Sequence, residues 1–216
     1  MRFIYLILAR KGSVRIKNKN LKKIKNKSLV QHSIDFAKKI AKVDKIILST
    51  DSNLIRNIGR KKGLNISHLR PKRLSKANTS SYASAIYEVK KYEKNNKIDA
   101  IVLLQPTTPF RSVETYNKLK KIFISDPNKP LITVKRVSLE SNRIFKKKNS
   151  YLTHYDYKKR STIFIPNGAY FFISKKTLKR NKSFFSKKMN FYEIKNLKEN
   201  IDIDTRDDLF FAKKIF

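Results

Sequence analysis

A basic loop directly after the first apolar run carries the residues with the most distinctive chemistry. The run Phe3–Leu8 has the composition of a buried strand, and residues 10–20 follow it with several cations around Gly12 and Ser13. Backbone N–H groups beside a Gly-Ser pair can turn toward phosphate oxygens, while Arg and Lys side chains neutralise a triphosphate. The spacing matches neither a P-loop nor GxGxxG, so a solvated basic turn stays open as the alternative.

A late acidic cluster is the second distinctive set. The chain has 16 Asp and Glu against 52 Lys and Arg, yet four aspartates fall close together at Asp202, Asp204, Asp207 and Asp208. In an extended segment the first two would project to one face about 7 Å apart, where they could hold Mg²⁺ directly or through water. Asp204 or Thr205 could instead cap a final helix. We predict metal binding for the front pair and a place in the first helical turn for the rear pair.

Further polar motifs follow other apolar runs. Ser49-Thr50-Asp51 comes after residues 45–48, and the stretch QPTTPFR, which begins at Gln105 and ends at Arg111, comes after residues 98–104. Its two prolines make a stiff connection whose donors and acceptors suit a polyhydroxylated carboxylate, although an ordinary strand-to-helix turn would look the same.

Small hydroxyl residues form another group. Arg70-Pro71 is followed by Asn78-Thr79-Ser80-Ser81, which precedes a stretch with helical spacing. Helix capping alone could explain Thr79 or Ser80.

The elements that must position these motifs alternate between strand and helix. Apolar runs occur at residues 3–8, 45–48, 98–104 and 131–134, and amphipathic helical spacing occurs at 29–41, 83–89 and 119–123. Runs without polar alternation fit strands covered on both faces, which predicts an α/β fold with a doubly wound, mostly parallel sheet. Ligands of such sheets bind beyond the carboxyl ends of the strands, where the polar motifs fall. A length of 216 residues suits one domain.

Composition excludes several classes of site. The chain has no cysteine, and its three histidines, His32, His68 and His154, are scattered, which argues against thiolate chemistry and a histidine-built metal site. The first apolar run is too short for a signal peptide or a membrane span and is followed at once by positive charge. We therefore expect a cytoplasmic protein with no membrane partner.

The formal net charge of +36 raises the question of nucleic acid. The lysines are spread over every segment instead of being gathered on one element with interleaved aromatics. We expect no specific nucleic-acid partner, but adhesion to polyanions that is lost as salt rises.

The ordered motifs resemble those of the acylneuraminate cytidylyltransferases, the CMP–sugar-acid synthetases. The resemblance spans nearly the whole chain and rests on Ala9-Arg10, Lys19-Asn20, Ser49-Thr50-Asp51, Arg70-Pro71, residues 78–81, residues 104–111, Asn167-Gly168-Ala169 and residues 202–205. It implies a Rossmann-like fold of the nucleotide-diphospho-sugar transferase type, usually dimeric. It also implies an enzyme that uses CTP and Mg²⁺ to join CMP to the anomeric hydroxyl of a nonulosonic acid, with release of pyrophosphate.

The resemblance also implies roles for individual residues. The catalytic cations at the triphosphate would be Arg10 and Lys19. The nucleotide-binding residues would be Ser13, Asn20, Arg70, Thr79 and Ser81. The sugar acid would be held by Gln105 and Asn167, with Arg160 and Phe171 at or near positions where the family often has Arg and Tyr. The metal ligands would be Asp202 and Asp204.

The basic loop departs from the family pattern. Where this chain has Val14, Arg15 and Lys17, the family usually has Lys, Gly and Pro, so a phosphate-facing lysine is missing unless Arg15 or Lys17 substitutes for it. A catalytically impaired member, or a basic polyanion-binding protein on the same fold, is the alternative reading. We assign residues 137–163, a short and Lys-rich stretch, to a dimerisation and substrate-closing insertion.

Overall fold

The computed structural model describes residues 1–137, 145–154 and 163–215. The strands are β1 (Phe3–Leu8), β2 (Lys23–Ile24), β3 (Lys27–Ser28), β4 (Ile46–Ser49), β5 (Ala100–Leu103), β6 (Leu131–Val137), β7 (Phe145–Lys148), β8 (Tyr151–His154), β9 (Ile163–Ser174) and β10 (Asn190–Glu193). The α-helices are α1 (Leu29–Ile40), α2 (Asn53–Lys61), α3 (Ser81–Tyr92), α4 (Val113–Ser125), α5 (Lys175–Asn181) and α6 (Arg206–Ile215). The four predicted strands and the three predicted helical stretches all form.

The central sheet has six strands in the order β10-β6-β9-β5-β1-β4 among the described residues. β1 runs parallel to both β4 and β5, and β10 runs parallel to β6, whereas β9 is antiparallel to its neighbours β5 and β6. The prediction of a mostly parallel sheet is confirmed. The chain leaves β1 for β4 on one side and later returns to add β5 on the other, so a topological switch point lies between β1 and β5.

Helices cover both faces of the sheet. Phe3, Tyr5 and Ile7 of β1 point to the face that packs against α1, α2 and α4. Ile4 and Leu6 point to the opposite face, which packs against α3 and α5. The side chains of one strand are therefore buried on both sides, which explains the run without polar alternation.

A third apolar cluster joins the end of the chain to its beginning. Ile203 and Ala212, before and within α6, pack with Ile16 of the basic loop and with Ile24 and Phe110. The Ile203 amide also donates to the Thr107 carbonyl at 2.8 Å. The acidic segment is thus held beside the basic loop and the loop that follows β5.

The predicted insertion at residues 137–163 is described only in part. Within it, β7 and β8 form an antiparallel two-stranded sheet separate from the central one. Elsewhere in the described chain, no helix has both the length and the apolar character that crossing a bilayer requires.

Candidate active site

Two adjoining cavities open at the switch point between β1 and β5. The larger has a volume of about 490 Å³ and the smaller about 210 Å³. Both are lined by Leu8, Arg10, Ala77 and Gln105, so they share a wall built from the carboxyl end of β1 and the residues after β5. This is the position at which an open α/β sheet is expected to bind its ligand.

The larger cavity brings together the basic loop and the acidic segment. Among the residues selected from the sequence, its lining includes Arg10, Ser13, Lys19, Asn20, Gln105, Asp202 and Asp204. Arg15, which the sequence offered as a replacement cation, lines it as well. The cations that the resemblance assigns to the triphosphate and the aspartates that it assigns to the metal therefore lie at one cavity in the fold.

Backbone contacts hold the basic loop in shape. The Lys11 amide donates to Asp51 Oδ1 at 2.7 Å, and the buried Asn20 side chain donates to the Arg10 carbonyl at 2.9 Å. Asn18 takes a left-handed conformation, with φ of 55°, before the turn that carries Lys19. Asn20 and Asp51 thus hold the backbone of the loop, and three of its cations, Arg10, Arg15 and Lys19, line the cavity.

Asp204 is engaged by two cations. Its Oδ1 accepts from Lys19 Nζ at 2.8 Å, and its Oδ2 pairs with Arg15 Nη2 at 2.9 Å. Partial burial acts to raise the pKa of Asp204, but the contacts with Lys19 and Arg15 outweigh it and lower the pKa overall. Asp204 is therefore a stable carboxylate at neutral pH.

Asp202 lies in a less favourable environment. Its Oδ1 is buried and has no hydrogen-bond partner among the described residues. Burial raises the pKa of Asp202, a hydrogen bond from Thr107 opposes the rise, and the negative charge of Asp204 adds to it. An unpartnered carboxylate oxygen beside a second carboxylate fits a divalent cation, because the cation would satisfy the oxygen and remove the repulsion. No group of three or more potential ligand side chains occurs in the described residues, so this pair could supply only part of a coordination sphere.

The smaller cavity is lined by Arg70, Thr79 and Ser81, three of the residues predicted to hold the nucleotide. Arg70 is only 5% exposed, and its Nε and Nη2 have no hydrogen-bond partner among the described residues. Burial lowers the pKa of Arg70, while Asp51 and Glu88 act to raise it. Two unsatisfied guanidinium donors beside a small polar cavity favour a ligand with acceptor atoms.

The hydroxyl residues at the start of α3 have different roles. Ser80 is the N-cap, since its side chain accepts from the Ala83 amide at 3.2 Å. Thr79 Oγ1 donates to the Arg73 carbonyl at 3.2 Å and, with Ser81, lines the smaller cavity. Capping therefore accounts for Ser80 and leaves its two neighbours at the cavity.

Gly168 forms a tight wall next to Gln105. Its φ is +76°, and a Cβ at this position would lie 2.8 Å from Gln105 Oε1, 2.9 Å from Thr108 Oγ1 and 3.3 Å from Asp202 Oδ2. The motif Asn167-Gly168-Ala169 thus brings β9 against Gln105 and the acidic segment, an approach that requires a glycine.

Asn167 does not line either cavity. Its side chain is 1% exposed, with Oδ1 accepting from Thr133 Oγ1 at 2.6 Å and Nδ2 donating to Asn200 Oδ1 at 2.8 Å. The Asn167 side chain thus faces protein partners and not a cavity, and its contact with the sugar acid stays a prediction. Its amide instead ties the irregular part of β9 to β6 and to the segment before Asp202.

Phe171, another residue predicted to bind the sugar acid, belongs to β9. Phe171 is buried in the core, pairs with Leu103 across β5 and β9, and makes edge-to-face contacts with Phe184 and Phe185. It lies near the correct edge of the sheet, but its ring packs inward instead of lining a cavity. Arg160 lies outside the described residues.

Arg111 has a structural role that the sequence motif did not indicate. We expected the polar groups of this stretch to face a ligand, but the guanidinium is buried and donates to the carbonyls of Ala169 and Gln105, each at 2.7 Å. Burial lowers the pKa of Arg111 to about 10. The side chain lies over the rings of Phe36 and Tyr170, so it fixes the walls of the site from behind.

Asp207 and Asp208 occupy the first turn of α6, as predicted. Asp208 Oδ2 accepts from the amides of Asp204 and Thr205, and Thr205 Oγ1 accepts from the Asp208 amide. These reciprocal bonds fix the backbone of Asp204 at the start of the helix.

Comparisons with known proteins show which family and which fold this chain shares. The family profile described as cytidylyltransferase matches residues 4–215. The chain is 28% identical to the CMP-N,N'-diacetyllegionaminic acid synthase of Legionella pneumophila, over 100% of this chain and 96% of that protein. It is 30% identical to the pseudaminic acid cytidylyltransferase of Campylobacter jejuni, over 100% of this chain and 97% of that protein.

Other relatives are longer. The N-acylneuraminate cytidylyltransferase of Streptococcus agalactiae is 29% identical over 96% of this chain, which spans only 52% of that protein. Among solved structures, a CMP:2-keto-3-deoxy-manno-octonic acid synthetase in complex with CTP superposes with a TM-score of 0.72 at 15% identity, covering 100% of this chain and 98% of the other. That likeness shows the nucleotidyltransferase fold. With its motifs in order, and with a family match over almost its full length, the chain belongs to the cytidylyltransferase family.

Proposed function

We propose that this cytidylyltransferase joins CMP from CTP to the anomeric hydroxyl of a nonulosonic acid and releases pyrophosphate. The observation that carries the proposal is the pair of adjoining cavities that share Arg10 and Gln105 at the switch point. One cavity offers hydroxyls and a buried guanidinium, and the other offers cations opposite two carboxylates. A nucleoside and its polyphosphate need these two environments side by side.

The shared wall suggests where each part of the substrates binds. The smaller cavity, with Arg70, Thr79 and Ser81, takes the ribose and cytosine. Arg10 lies at the junction, next to the α-phosphate, with one guanidinium nitrogen held by the Lys76 carbonyl at 2.8 Å. The larger cavity takes the β- and γ-phosphates on the Lys19 side and the sugar acid near Gln105.

The residues present fit Mg²⁺, which Asp202 and Asp204 would hold. When bound, the ion supplies positive charge against the triphosphate and helps to align it. The unpartnered Oδ1 of Asp202 is the structural feature that favours this role.

The reaction is a direct displacement at phosphorus. The oxygen of the anomeric hydroxyl forms a bond to the α-phosphorus as its proton passes to solvent, the bond to the bridging oxygen breaks, and pyrophosphate leaves with the electron pair. Arg10 and Lys19 stabilise the charge that grows on the departing oxygens. The protein side chains contribute binding, alignment and charge, so no covalent enzyme intermediate is required.

The names of the relatives favour a bacterial nonulosonic acid as the acceptor, and legionaminic acid is the first candidate.

We further propose a cytoplasmic homodimer, in which residues 137–163 help to form the interface and close the sugar site. The separate hairpin β7–β8 within that segment is compatible with such a role.

The test is pyrophosphate release by the purified protein with CTP, Mg²⁺ and a panel of sugar acids that includes legionaminic, pseudaminic and N-acetylneuraminic acids. We expect release with at least one acceptor and none when CTP is replaced by ATP or when the acceptor is left out. If no acceptor supports release while the protein still retains DNA at low salt, the polyanion-binding alternative replaces this proposal.

A further inference from the structure

Both oxygens of Asp204, a proposed metal ligand, are occupied by cations of the basic loop. Lys19 contacts Oδ1 at 2.8 Å and Arg15 contacts Oδ2 at 2.9 Å. We propose that Arg15 is a hand-over residue: it masks Asp204 in the free protein and moves to the triphosphate when Mg²⁺ and CTP bind together. This inference rests on the proposed function and extends it to a residue that departs from the family pattern.

Arg15 is the substituted loop residue that faces the site. Val14 is 82% exposed and carries no charge, so its aliphatic side chain at the cavity rim cannot replace the missing lysine. Lys17 is exposed and is not part of the cavity lining in the described structure. Arg15 lines the large cavity together with Lys19 and both aspartates, which settles by geometry which of the two candidate cations can replace a phosphate-facing lysine.

The two cations on Asp204 differ in how easily they can leave. The Lys19 side chain is 14% exposed, whereas the Arg15 side chain is 61% exposed. A largely exposed ion pair contributes little stability, because water and salt screen it and the long side chain loses freedom. Arg15 can therefore release Oδ2 at small cost, while Lys19 stays beside Oδ1.

The released guanidinium has a suitable destination in the same cavity. A guanidinium forms paired hydrogen bonds with phosphate oxygens, which an ammonium cannot match in geometry. A metal ion alone has to displace Arg15 without offering it a new partner, but a metal ion with CTP provides the phosphate as well. The two ligands should therefore bind cooperatively, and a metal ion alone should bind weakly.

The test measures metal binding without the reaction. Mn²⁺, followed by the electron paramagnetic resonance signal of the free ion, is titrated into the wild type and into the variants Arg15→Gln, Arg15→Lys and Lys17→Gln, with and without CTP. Lys17→Gln is the matched control, because it removes the same charge two positions away. Since Arg15 is exposed, its substitution should leave the fold intact, and circular dichroism checks this.

Arg15→Gln should bind Mn²⁺ alone about twofold to fivefold more tightly than wild type, because the weak mask is gone. The same variant should bind CTP more weakly in the presence of Mn²⁺, and Arg15→Lys should lie between it and wild type. Loss of one positive charge would by itself strengthen Mn²⁺ binding and weaken CTP binding, so each change in Arg15→Gln is compared with the change in Lys17→Gln, which loses the same charge, and should be larger. If Arg15→Gln behaves like Lys17→Gln in either titration, the hand-over is wrong, and this result leaves pyrophosphate release by the wild type as a separate question.

Discussion

At the scale of single residues, the site depends on charges placed against each other across two distant parts of the sequence. Arg10 and Asp204 show this most clearly. Arg10 follows β1 and Asp204 precedes α6, yet both line the larger cavity. Arg10→Ala and Asp204→Ala should each reduce kcat/KM on the order of a hundredfold or more, because each removes a group that acts on charge at phosphorus. Steady-state pyrophosphate release measures the loss.

Neither substitution should unfold the protein, since both side chains are partly exposed. Arg10 loses one hydrogen bond to the Lys76 carbonyl, and the partly exposed ion pairs of Asp204 contribute little. Asp207→Ala is the matched control for Asp204, because it removes an exposed aspartate from the first turn of the same helix. Wild-type turnover in Arg10→Ala or Asp204→Ala would remove that residue from the mechanism.

We predict that Asp202 lowers the stability of the metal-free protein but is required for transfer. Burial raises the pKa of Asp202, so its ionised form is disfavoured in the folded protein. Asp202→Asn should therefore raise the thermal unfolding midpoint of the metal-free protein while it abolishes transfer. Calorimetry in EDTA measures the first effect and pyrophosphate release the second, with Asp207→Asn as the control.

The raised pKa of Asp202 also determines how the stability difference between wild type and Asp202→Asn changes with pH. Below the ordinary pKa of 3.8 the carboxyl is protonated in both folded and unfolded states, so wild type and Asp202→Asn should be equally stable in this respect. As pH rises from that value through the raised folded pKa, wild type loses stability relative to the variant, and above it the difference is constant. A stability difference that shrinks with rising pH would contradict the assigned burial of the Asp202 carboxylate, whose Oδ1 has no partner among the described residues.

At the scale of elements, the irregular start of β9 packs closely against Gln105, proposed to bind the sugar acid, and Asp202, proposed to bind the metal. Gly168→Ala should crowd Gln105 and Thr108, since the added Cβ would lie 2.8 Å and 2.9 Å from their side-chain oxygens. Gly63→Ala is a well-matched control, because Gly63 also has positive φ, at +83°, but its Cβ would meet nothing within 4 Å.

The control should lose about 1 kcal/mol of unfolding free energy from left-handed strain alone. Gly168→Ala should lose more and should also raise KM for the sugar acid above that for CTP. Urea unfolding and initial rates measure the two effects. Equal losses in both variants, with an unchanged KM, would mean that the close approach to Gln105 has no role in the site.

The elements also show what could be predicted from the sequence. The loops that follow uninterrupted apolar runs could be predicted, so Arg10, Lys19 and Gln105 were placed at one sheet edge. The aspartate pair follows no such run and was linked to these residues only through the family resemblance. β9 was not identified, because Pro166-Asn167-Gly168 interrupts its apolar pattern.

The motifs also could not predict the direction in which a side chain points. Asn167 and Arg111 belong to stretches that do reach the site, but both turn inward to satisfy buried carbonyls and amides. Polarity predicts that such a residue needs partners; whether those partners are ligand or backbone depends on tertiary contacts.

At the scale of the whole molecule, polyanion binding by the net charge of +36 should be independent of catalysis at the active site. The cations are spread over the surface, so DNA or heparin should bind non-specifically and lose affinity steeply as salt rises. Asp204→Ala should leave this retention unchanged while it abolishes transfer, because one carboxylate among so many cations changes the long-range field little.

Retention on heparin over a salt gradient, measured beside pyrophosphate release, distinguishes the two properties. Saturating CTP with Mg²⁺ should not elute the protein, since the nucleotide fills one cavity and leaves the remaining surface charge in place. Elution by CTP, together with loss of retention in Arg10→Ala, would instead place the polyanion in the active-site cavities. Independence of retention from both the nucleotide and the site variants means that the basic surface and the catalytic cleft act separately in this fold.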